Sequence, residues 1–249
     1  MSGVLVTLEG CDAAGKGVIS RRVSAALRGL GFAVTTTSEP TAGPIGKLIR
    51  DALERRVVLA GDAMGPLFAA DRADHIAQCV MPAIVAGRVV LCDRFDGSNI
   101  AYRTAEADGP LFACASNACD WTGDDVPAEQ HIYAASWRCP SCKSGSVYFT
   151  KVAAARLAWA VGLTHPDAPQ PDLTVVLDVP LDVAEARRLS RGDASELYDA
   201  TPMQRRVRAI YQAWPHLMPQ RRIVVVNANR DVDVVADDVL RLALSVIDP

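Results

Sequence analysis

Short apolar runs alternate with helical patterns along most of the chain. The apolar runs that predict strands are GVLVTLEG, FAVTTT (32–37), RVVLCD, LTVVLDV (173–179) and RIVVVNA (222–228). Strands that are apolar throughout are buried on both faces, and their alternation with helices is typical of a parallel sheet between two helical layers. The pattern therefore predicts a three-layer α/β fold with a five-stranded parallel sheet.

The helical segments have apolar positions at the spacing of one helix face. They are KGVISRRVSAALRGLG, GPIGKLIRDALERR, MGPLFAADRADHIAQCVMPAIVAG, LDVAEARRLSR, TPMQRRVRAIYQAW and DVVADDVLRLALSVI. Pro82 lies inside the third segment. Proline cannot donate the helical hydrogen bond, so we expect a kink or a division there.

One stretch departs from this alternation. Between about Thr104 and Thr150 the chain has six acidic residues against Arg138 and Lys143, two tryptophans and four of its seven cysteines. The departure predicts an insert at 104–150 within a core formed by 1–103 and 151–249.

Composition narrows the class of protein. The net charge of −3 over 249 residues gives no electrostatic reason to expect nucleic-acid binding. A signal peptide has a basic region followed by an apolar stretch, and the N-terminus shows neither. No apolar run approaches the ~20 residues that cross a bilayer. We therefore expect a cytoplasmic protein that does not bind membranes.

A phosphate-binding loop follows the first strand. Residues 10–16 read GCDAAGK, which has the spacing of a Walker A loop in the required strand-to-helix context. Backbone amides and a helix N-terminus form a cradle for anions, and lysine adds a positive charge. The alternative is a glycine-rich turn without a ligand. We expect the ATP phosphates to be bound by Gly10, Asp12, Ala13, Ala14, Gly15, Lys16, Gly17 and Val18.

The loop departs from its motif at Gly17, where serine or threonine normally ligates magnesium through its hydroxyl. Three interpretations are open: a nucleotide kinase with an altered metal shell, a kinase that uses another phosphate donor, or a loop that no longer performs chemistry.

Further polar residues follow the second and third predicted strands. Glu39 follows the second strand, and Asp93 and Arg94 end the third. Ligands of such sheets bind at the carboxyl ends of the strands. Asp93 suits a magnesium ion bound through water and Arg94 suits a phosphate, although such a pair is often only a structural ion pair.

An aromatic and a cationic residue share a helix face nearby. Phe68 and Arg72 are four residues apart, so their side chains lie on one face and could stack on a base and hydrogen-bond its edge. Alone, Phe68 would more often belong to the core and Arg72 to a salt bridge.

Five segments resemble the thymidylate kinases, which convert dTMP and ATP to dTDP and ADP. They are LEGCDAAGK, EPTAGPIGKLIR, LFAADRADHI, VVLCDRFDGSNIAYR and PDLTVVLDVPLDVAEAR, and they occur in the family's order. The resemblance implies strand order 2-3-1-4-5, a homodimer, and ATP and Mg²⁺ as cofactors. It also implies a lid over about 187–201.

The resemblance assigns roles within the site. Phe68 would stack on the base, Arg72 and Asn99 would bind its edge, and Tyr102 would favour deoxyribose. The implied acceptor residues are Asp12, Glu39, Pro40, Phe68, Arg72, Arg94, Ser98, Asn99, Tyr102 and Arg103. The implied catalytic residues are Lys16, Asp93, Arg94 and the lid arginines Arg187, Arg188 and Arg191, which would stabilise the transferring phosphoryl group.

Several positions depart from the family's pattern. Besides Gly17, Ser38 stands where the family usually has arginine, and Arg103 replaces a glutamine that many bacterial members place against the thymine. The ending DAAGKG also resembles the loop of family-2 polyphosphate kinases, in which glycine after the lysine is normal. Polyphosphate is therefore an alternative donor, and an impaired nucleotide-binding or zinc-dependent interaction protein is an alternative function.

The insert carries a candidate metal site. Cys114 and Cys119 form one close pair and Cys139 and Cys142 another, which is a spacing typical of structural zinc in a zinc ribbon. His131 could replace one cysteine. Because the insert follows the acceptor segment directly, we favour a module that covers the acceptor pocket over one that adds a dimer or partner surface.

Overall fold

The protein is described by a computed structural model, which covers residues 3–124, 138–143, 146–164, 166–192 and 196–247. The core strands are β1 (Val4–Glu9), β2 (Val34–Ser38), β3 (Val89–Asp93), β7 (Leu173–Asp178) and β8 (Ile223–Asn227). The short strands of the insert are β4 (Phe112–Cys114), β5 (Thr122–Gly123) and β6 (Val147–Phe149).

The helices follow the predicted segments closely. They are α1 (Lys16–Gly29), α2 (Pro44–Leu53), α3 (Met64–His75), α4 (Met81–Val85), α5 (Asp96–Ala105), α6 (Lys151–Gly162), α7 (Leu181–Arg191), α8 (Thr201–Leu217) and α9 (Val232–Ile247). A π-helical segment, Ile76–Val80, separates α3 from α4 just before Pro82. The backbone thus stays helical from Met64 to Val85 and changes its hydrogen-bond pattern just before Pro82, so it is not divided there. Among the described residues, none of the helices combines the length and the apolar character needed to cross a bilayer.

The five core strands form one parallel sheet in the order β2-β3-β1-β7-β8. Counted along the core strands this is 2-3-1-4-5, so the expected order is confirmed. Alternate strand residues enter different cores: Val6 and Leu8 pack with α1 and α9 on one face, whereas Val176 packs with α5 and α8 on the other. Burial on both faces explains why these strands are apolar throughout.

The register of the sheet brings three acidic strand ends together. Asp93 is paired with Leu8 on one side and with Ser38 on the other. Glu9 and Glu39 follow these partners in the chain, so both lie at the same edge as Asp93 and the phosphate-binding loop. The fold thus collects the predicted polar clusters at one edge of the sheet.

The insert begins after α5, which ends at Ala105, so the expected boundary at 104 falls within the last turn of that helix. Its described strands form an antiparallel sheet in the order β5-β4-β6. Leu111 and Phe112 are fully buried in the same hydrophobic cluster as Val207 and Ile210 of α8. The insert therefore shares a hydrophobic core with the parallel sheet.

Candidate active site

Two glycines give the loop at residues 10–15 its shape. Gly10 has φ +138° and Gly15 has φ +100°, both in the region that favours glycine. A Cβ atom at Gly10 would lie 2.5 Å from the carbonyl oxygen of Leu177, so the loop passes too close to β7 for any side chain there. This close approach carries the chain directly from β1 into the N-terminus of α1.

The side chain of Lys16 folds back onto the phosphate-binding loop. Its buried ammonium group donates hydrogen bonds to the carbonyl oxygens of Gly10 at 3.0 Å and Cys11 at 2.8 Å. Burial lowers the pKa of Lys16 to about 8, and the neighbouring charge of Arg94 acts in the same direction. Among the described residues no carboxylate forms an ion pair with this ammonium, and the phosphates of a bound nucleotide would supply an anionic partner.

Gly17, unlike Gly10 and Gly15, lies within regular helix. A Cβ atom built there would lie 3.5 Å from Oδ2 of Asp93 and 3.7 Å from Nη1 of Arg21, both ordinary contacts. Packing therefore does not demand glycine at this position. The Cβ atom of a serine or threonine would have room there, beside the Asp93 carboxylate.

A cavity of about 780 Å³ opens above the loop. Its lining contains most of the predicted phosphate and metal residues, and it reaches the lid arginines. The predicted residues that line it are Asp12, Ala13, Gly15, Lys16, Gly17, Val18, Glu39, Pro40, Asp93, Arg94, Arg188 and Arg191. We call it the donor cavity. Gly10 and Ala14 belong to the loop backbone and do not line it.

A second cavity of about 260 Å³ adjoins the first, and we call it the acceptor cavity. The two share several lining residues, including Asp12 and Arg94, so they adjoin at these side chains. The predicted residues that line the acceptor cavity are Asp12, Pro40, Phe68, Arg94, Ser98, Asn99, Tyr102 and Arg103. Sequence reasoning did not identify Arg50, Leu53, Glu54, Glu196 and Tyr198, which complete its wall.

Arg94 stands at the junction of the two cavities. Its guanidinium donates to Ser98 Oγ at 2.8 Å and to the Gly10 carbonyl at 3.3 Å, and it forms an ion pair with Asp12. Its backbone has φ +67°, unusual for a residue with a side chain, and its amide donates to the carbonyl of Leu8. The strained conformation turns Arg94 from β3 toward the loop.

Asp12 is kept ionised by its neighbours. Burial opposes ionisation, but the charges of Arg94 and Lys16 and hydrogen bonds from Tyr102 and Gln204 outweigh it and hold the pKa of Asp12 below its usual value. The Tyr102 hydroxyl donates at 2.9 Å and the Gln204 amide at 3.1 Å. Asp12 thereby fixes Arg94 and Tyr102 at the entrance of the acceptor cavity.

Glu9 is a buried carboxylate that sequence reasoning did not assign. It accepts hydrogen bonds from the Phe95 amide at 2.8 Å, Ser98 Oγ at 2.6 Å and the Tyr211 hydroxyl at 3.0 Å. Burial raises its pKa despite these donors. Glu9 anchors the turn from β3 into α5, on which Arg94 and Ser98 depend. Its position at the end of an apolar strand was the available signal.

Glu39 and Arg72 form a buried cluster with His75. Nε of Arg72 donates to Glu39 Oε2 at 3.0 Å, and Nδ1 of His75 lies 3.0 Å from Oε1. Nη2 of Arg72 donates to the carbonyl of Phe95, and its Nη1 has no hydrogen-bond partner. Arg72 lines a neighbouring cavity between α3 and the end of α6, whereas Phe68 lines the acceptor cavity. The expected pair is therefore divided between two cavities.

Two polar side chains on α5 face the acceptor cavity with unsatisfied atoms. Asn99 donates from Nδ2 to the carbonyl of Gly65 at 3.2 Å, and its Oδ1 has no partner. Arg103 is 1% exposed and lies over the ring of Tyr198, 5.0 Å from its centre. Its Nη1 is 2.7 Å from Glu106 Oε1, but none of its nitrogens makes a well-directed hydrogen bond.

The three arginines of the expected lid face different directions. Arg188 lies 3.5 Å from Asp199, and Arg188 and Arg191 both line the donor cavity. Arg187 instead donates to the carbonyl of Ala228 after β8, at 3.4 Å. Residues 193–195 of the lid lie outside the described residues. Arg188 and Arg191 are thus the lid arginines that meet the donor cavity.

The four insert cysteines are clustered. The sulfur atoms of Cys114, Cys119, Cys139 and Cys142 all lie within 4.8 Å of one another. The sulfur pairs 114–142 and 119–139 are each separated by 3.7 Å. A tetrahedral zinc with bonds of about 2.3 Å requires sulfurs about 3.8 Å apart, so the cluster fits this ion. His131, the alternative ligand, lies outside the described residues.

The described residues of the insert line neither the donor nor the acceptor cavity. This part of the insert packs on α8 instead, where Arg206 donates to Asp124 at 2.9 Å and to the carbonyls of Ala105 and Ala107. The favoured interpretation, a cover over the acceptor pocket, therefore gains no support from the described residues.

The chain is similar to thymidylate kinases. A family model described as thymidylate kinase matches residues 8–119. A probable thymidylate kinase from Pyrococcus abyssi is 28% identical over 247 residues, which cover 97% of this chain and 96% of the relative. A thymidylate kinase from Thermomicrobium roseum is 33% identical over 245 residues, which cover 94% of this chain and 91% of the relative.

The fold agrees with these sequence relationships. The solved structure of thymidylate kinase from Candida albicans matches with a TM-score of 0.69 at 23% identity, covering 98% of this chain and 92% of that chain. The match therefore includes the parallel sheet that positions both cavities. Because similarity above 30% identity extends over almost the whole length of both sequences, the chain belongs to the thymidylate kinase family.

Proposed function

We propose that the protein transfers the γ-phosphate of ATP to dTMP, giving dTDP and ADP. The observation that carries the proposal is that the donor and acceptor cavities adjoin at Arg94 and Asp12, which line both of them. A donor phosphate on the loop and an acceptor phosphate on Arg94 would approach each other across this junction. Such an arrangement suits direct transfer between two bound nucleotides.

The acceptor cavity supports a pyrimidine deoxynucleotide. Phe68 offers a ring for stacking, and the unpartnered Asn99 Oδ1 is a buried acceptor that an N–H at a base edge would satisfy. The Tyr102 hydroxyl is held by Asp12 near the expected sugar, consistent with selection for deoxyribose. Arg103 also lines this cavity, where its guanidinium is paired with Glu106. The proposed base contact of Arg72 stays a prediction, since Arg72 does not line this cavity.

The chemistry consists of positioning and charge neutralisation. A phosphate oxygen of the acceptor attacks the γ-phosphorus, and the bond from that phosphorus to the bridging oxygen of ADP breaks. Lys16 would bind the donor phosphates, Arg94 the acceptor phosphate, and Arg188 and Arg191 the transferring group. Asp93 would hold Mg²⁺ through water, and this ion would neutralise charge on the donor phosphates.

Polyphosphate as donor and loss of catalysis are the competing proposals. Gly17 was the feature that suggested both, but its helical backbone and the room for a Cβ atom remove a geometric need for glycine. The lid arginines that line the donor cavity also support catalysis, because a binding module has no need of them. We therefore favour ATP-dependent transfer in which magnesium lacks the usual hydroxyl ligand at position 17.

A substrate panel tests the proposal. Purified protein is incubated with each nucleoside monophosphate and either ATP or polyphosphate, and the diphosphate product is measured. We expect dTDP from dTMP and ATP, and a loss of several orders of magnitude in turnover for Lys16→Ala. Diphosphate only with polyphosphate would contradict the donor, and no product with any pair would contradict catalysis. Near-normal turnover of Lys16→Ala would contradict the mechanism.

We also propose that the insert binds one structural zinc ion through its four cysteines. The sulfur spacing supports this metal, and four thiolates leave no open position for a catalytic water. Metal analysis of the purified chain tests it, with one equivalent of zinc expected. The homodimer implied by the family and the cytoplasmic location stay predictions.

A further inference from the structure

Arg21 reaches back toward the phosphate-binding loop. It lies on α1 four residues after Gly17, hence one turn further along the same helix face. Helical Cα–Cβ bonds tilt toward the N-terminus, so its long side chain extends toward the loop. It lines the donor cavity, and its Nη1 atom lies 3.7 Å from the position that a Cβ atom of Gly17 would occupy.

The side chain of Arg21 is exposed to solvent. None of the carboxylates in the described part of the chain forms an ion pair with it. The N-terminal end of a helix carries partial positive charge, which makes this an unfavourable place for a cation unless an anion binds there. Asp93 approaches Gly17 from another direction, 3.5 Å from the same point. An anionic ligand in the donor cavity would neutralise the positive charge of Arg21 and of the helix N-terminus.

The guanidinium of Arg21 lies beside Gly17, in ordinary contact with the position that a Cβ atom would occupy. In a standard loop the residue after lysine supplies a hydroxyl to magnesium. Here that side chain is missing although it would fit. We propose that Arg21 binds the terminal phosphate of the donor and so compensates for the hydroxyl missing at Gly17. This inference rests on the proposed function, because it needs a phosphate donor in the donor cavity.

A guanidinium suits this task because its planar donors match two phosphate oxygens at once. Arg21 acts by positioning the donor. The recognised chemistry is a terminal phosphate, which either ATP or inorganic polyphosphate could present. We assign it to ATP, since the acceptor and lid residues follow the nucleotide kinase pattern.

The assignment is tested by measuring, with titration calorimetry on the full chain, the affinities of a non-hydrolysable ATP analogue (AMP-PNP), ADP and tripolyphosphate. Arg21→Met should weaken AMP-PNP binding about tenfold to one hundredfold, the usual range for a charge-assisted hydrogen bond. ADP binding should change little. The matched control is Arg22→Met, because Arg22 pairs with Asp233 at the surface and does not line the cavity.

Gly17→Ser probes the compensation directly. With Mg²⁺ present, the restored hydroxyl should reduce the effect of Arg21→Met on AMP-PNP binding, whereas in EDTA the effect should keep its full size. An equal effect of Arg21→Met in both backgrounds with Mg²⁺ would overturn the compensation.

Three other results would overturn the assignment. They are unchanged AMP-PNP binding by Arg21→Met, equal weakening of ADP and AMP-PNP, and weakening of tripolyphosphate alone. If the unaltered chain fails to bind AMP-PNP, the proposed function fails and this inference with it. If the unaltered chain binds AMP-PNP and Arg21→Met binds it equally well, only this inference is overturned and the proposed function stands.

Discussion

Lys16 combines burial with a positive charge, and this makes phosphate binding sensitive to pH. Its ammonium group is held by two carbonyl oxygens, and burial lowers its pKa to about 8. A bound triphosphate would favour the charged form. Above pH 8 the free protein loses this proton, and binding then requires taking it up again from solvent.

We therefore expect AMP-PNP affinity to fall as the pH rises above 8, by about tenfold per pH unit when only the ammonium form binds. Titration calorimetry from pH 7 to 10, in buffers with different ionisation heats, measures both the affinity and the proton uptake. In Lys16→Met the affinity is lower throughout and its slope above pH 8 is absent. The same slope in the variant would assign the titration to another group.

Residues of the site differ in how far the sequence predicts them. Asp93 and Arg94 could be predicted because parallel strands end at one sheet edge, and the fold places both there. Gln204 could not, because it meets Asp12 from 192 positions away through the packing of α8. Arg72 has the expected helix position but its guanidinium is bound by Glu39, a contact that helical spacing alone does not determine.

At the scale of elements, α8 joins the insert to the site. Gln204 contacts Asp12 at the cavities, and two residues later Arg206 is bound to the insert. Val207 and Ile210 belong to the same buried cluster as Leu111 and Phe112. The described part of the insert is thus a packing partner of the helix that follows the lid.

Removing the metal ligands should therefore affect stability more than substrate affinity. Replacing Cys139 and Cys142 with serine should abolish zinc binding, expose β4 and β6 to proteolysis and lower Tm. The KM values for dTMP and ATP should change little, because the described insert residues line neither cavity. Metal analysis, limited proteolysis and steady-state kinetics measure these effects.

Cys79→Ser is the control, since Cys79 lies on the π-helical segment outside the insert. A selective rise in the KM for dTMP would contradict this expectation. It would show that the insert reaches the acceptor site after all.

At the scale of the whole molecule, apolar runs predicted the sheet because a parallel strand buried on both faces leaves no polar side. The order of the strands came from the family resemblance, because strand composition does not specify neighbours. The contact of the insert with α8 was not predictable. It depends on where two segments separated by about one hundred residues meet, as Arg206 and Gly109 do.

Because the two cavities have partly different linings, we expect single substitutions to weaken donor binding or acceptor binding separately. Lys16 lines only the donor cavity, and Asn99 lines only the acceptor cavity. A ligand at about one hundred times its Kd stabilises the folded state by about 2.7 kcal/mol, which for a chain of this size raises Tm by about 5–11 °C. We expect AMP-PNP and dTMP each to produce such a rise in scanning calorimetry.

Lys16→Met should lose the rise caused by AMP-PNP and keep the rise caused by dTMP, while Asn99→Ala should show the reverse. Each rise is measured from the variant's own Tm, so a general loss of stability does not imitate the pattern. Arg22→Met should keep both rises, because its side chain pairs with Asp233 away from the cavities. If either variant lost both rises together, the two cavities would act as a single binding site, and direct transfer across Arg94 would lose its structural basis.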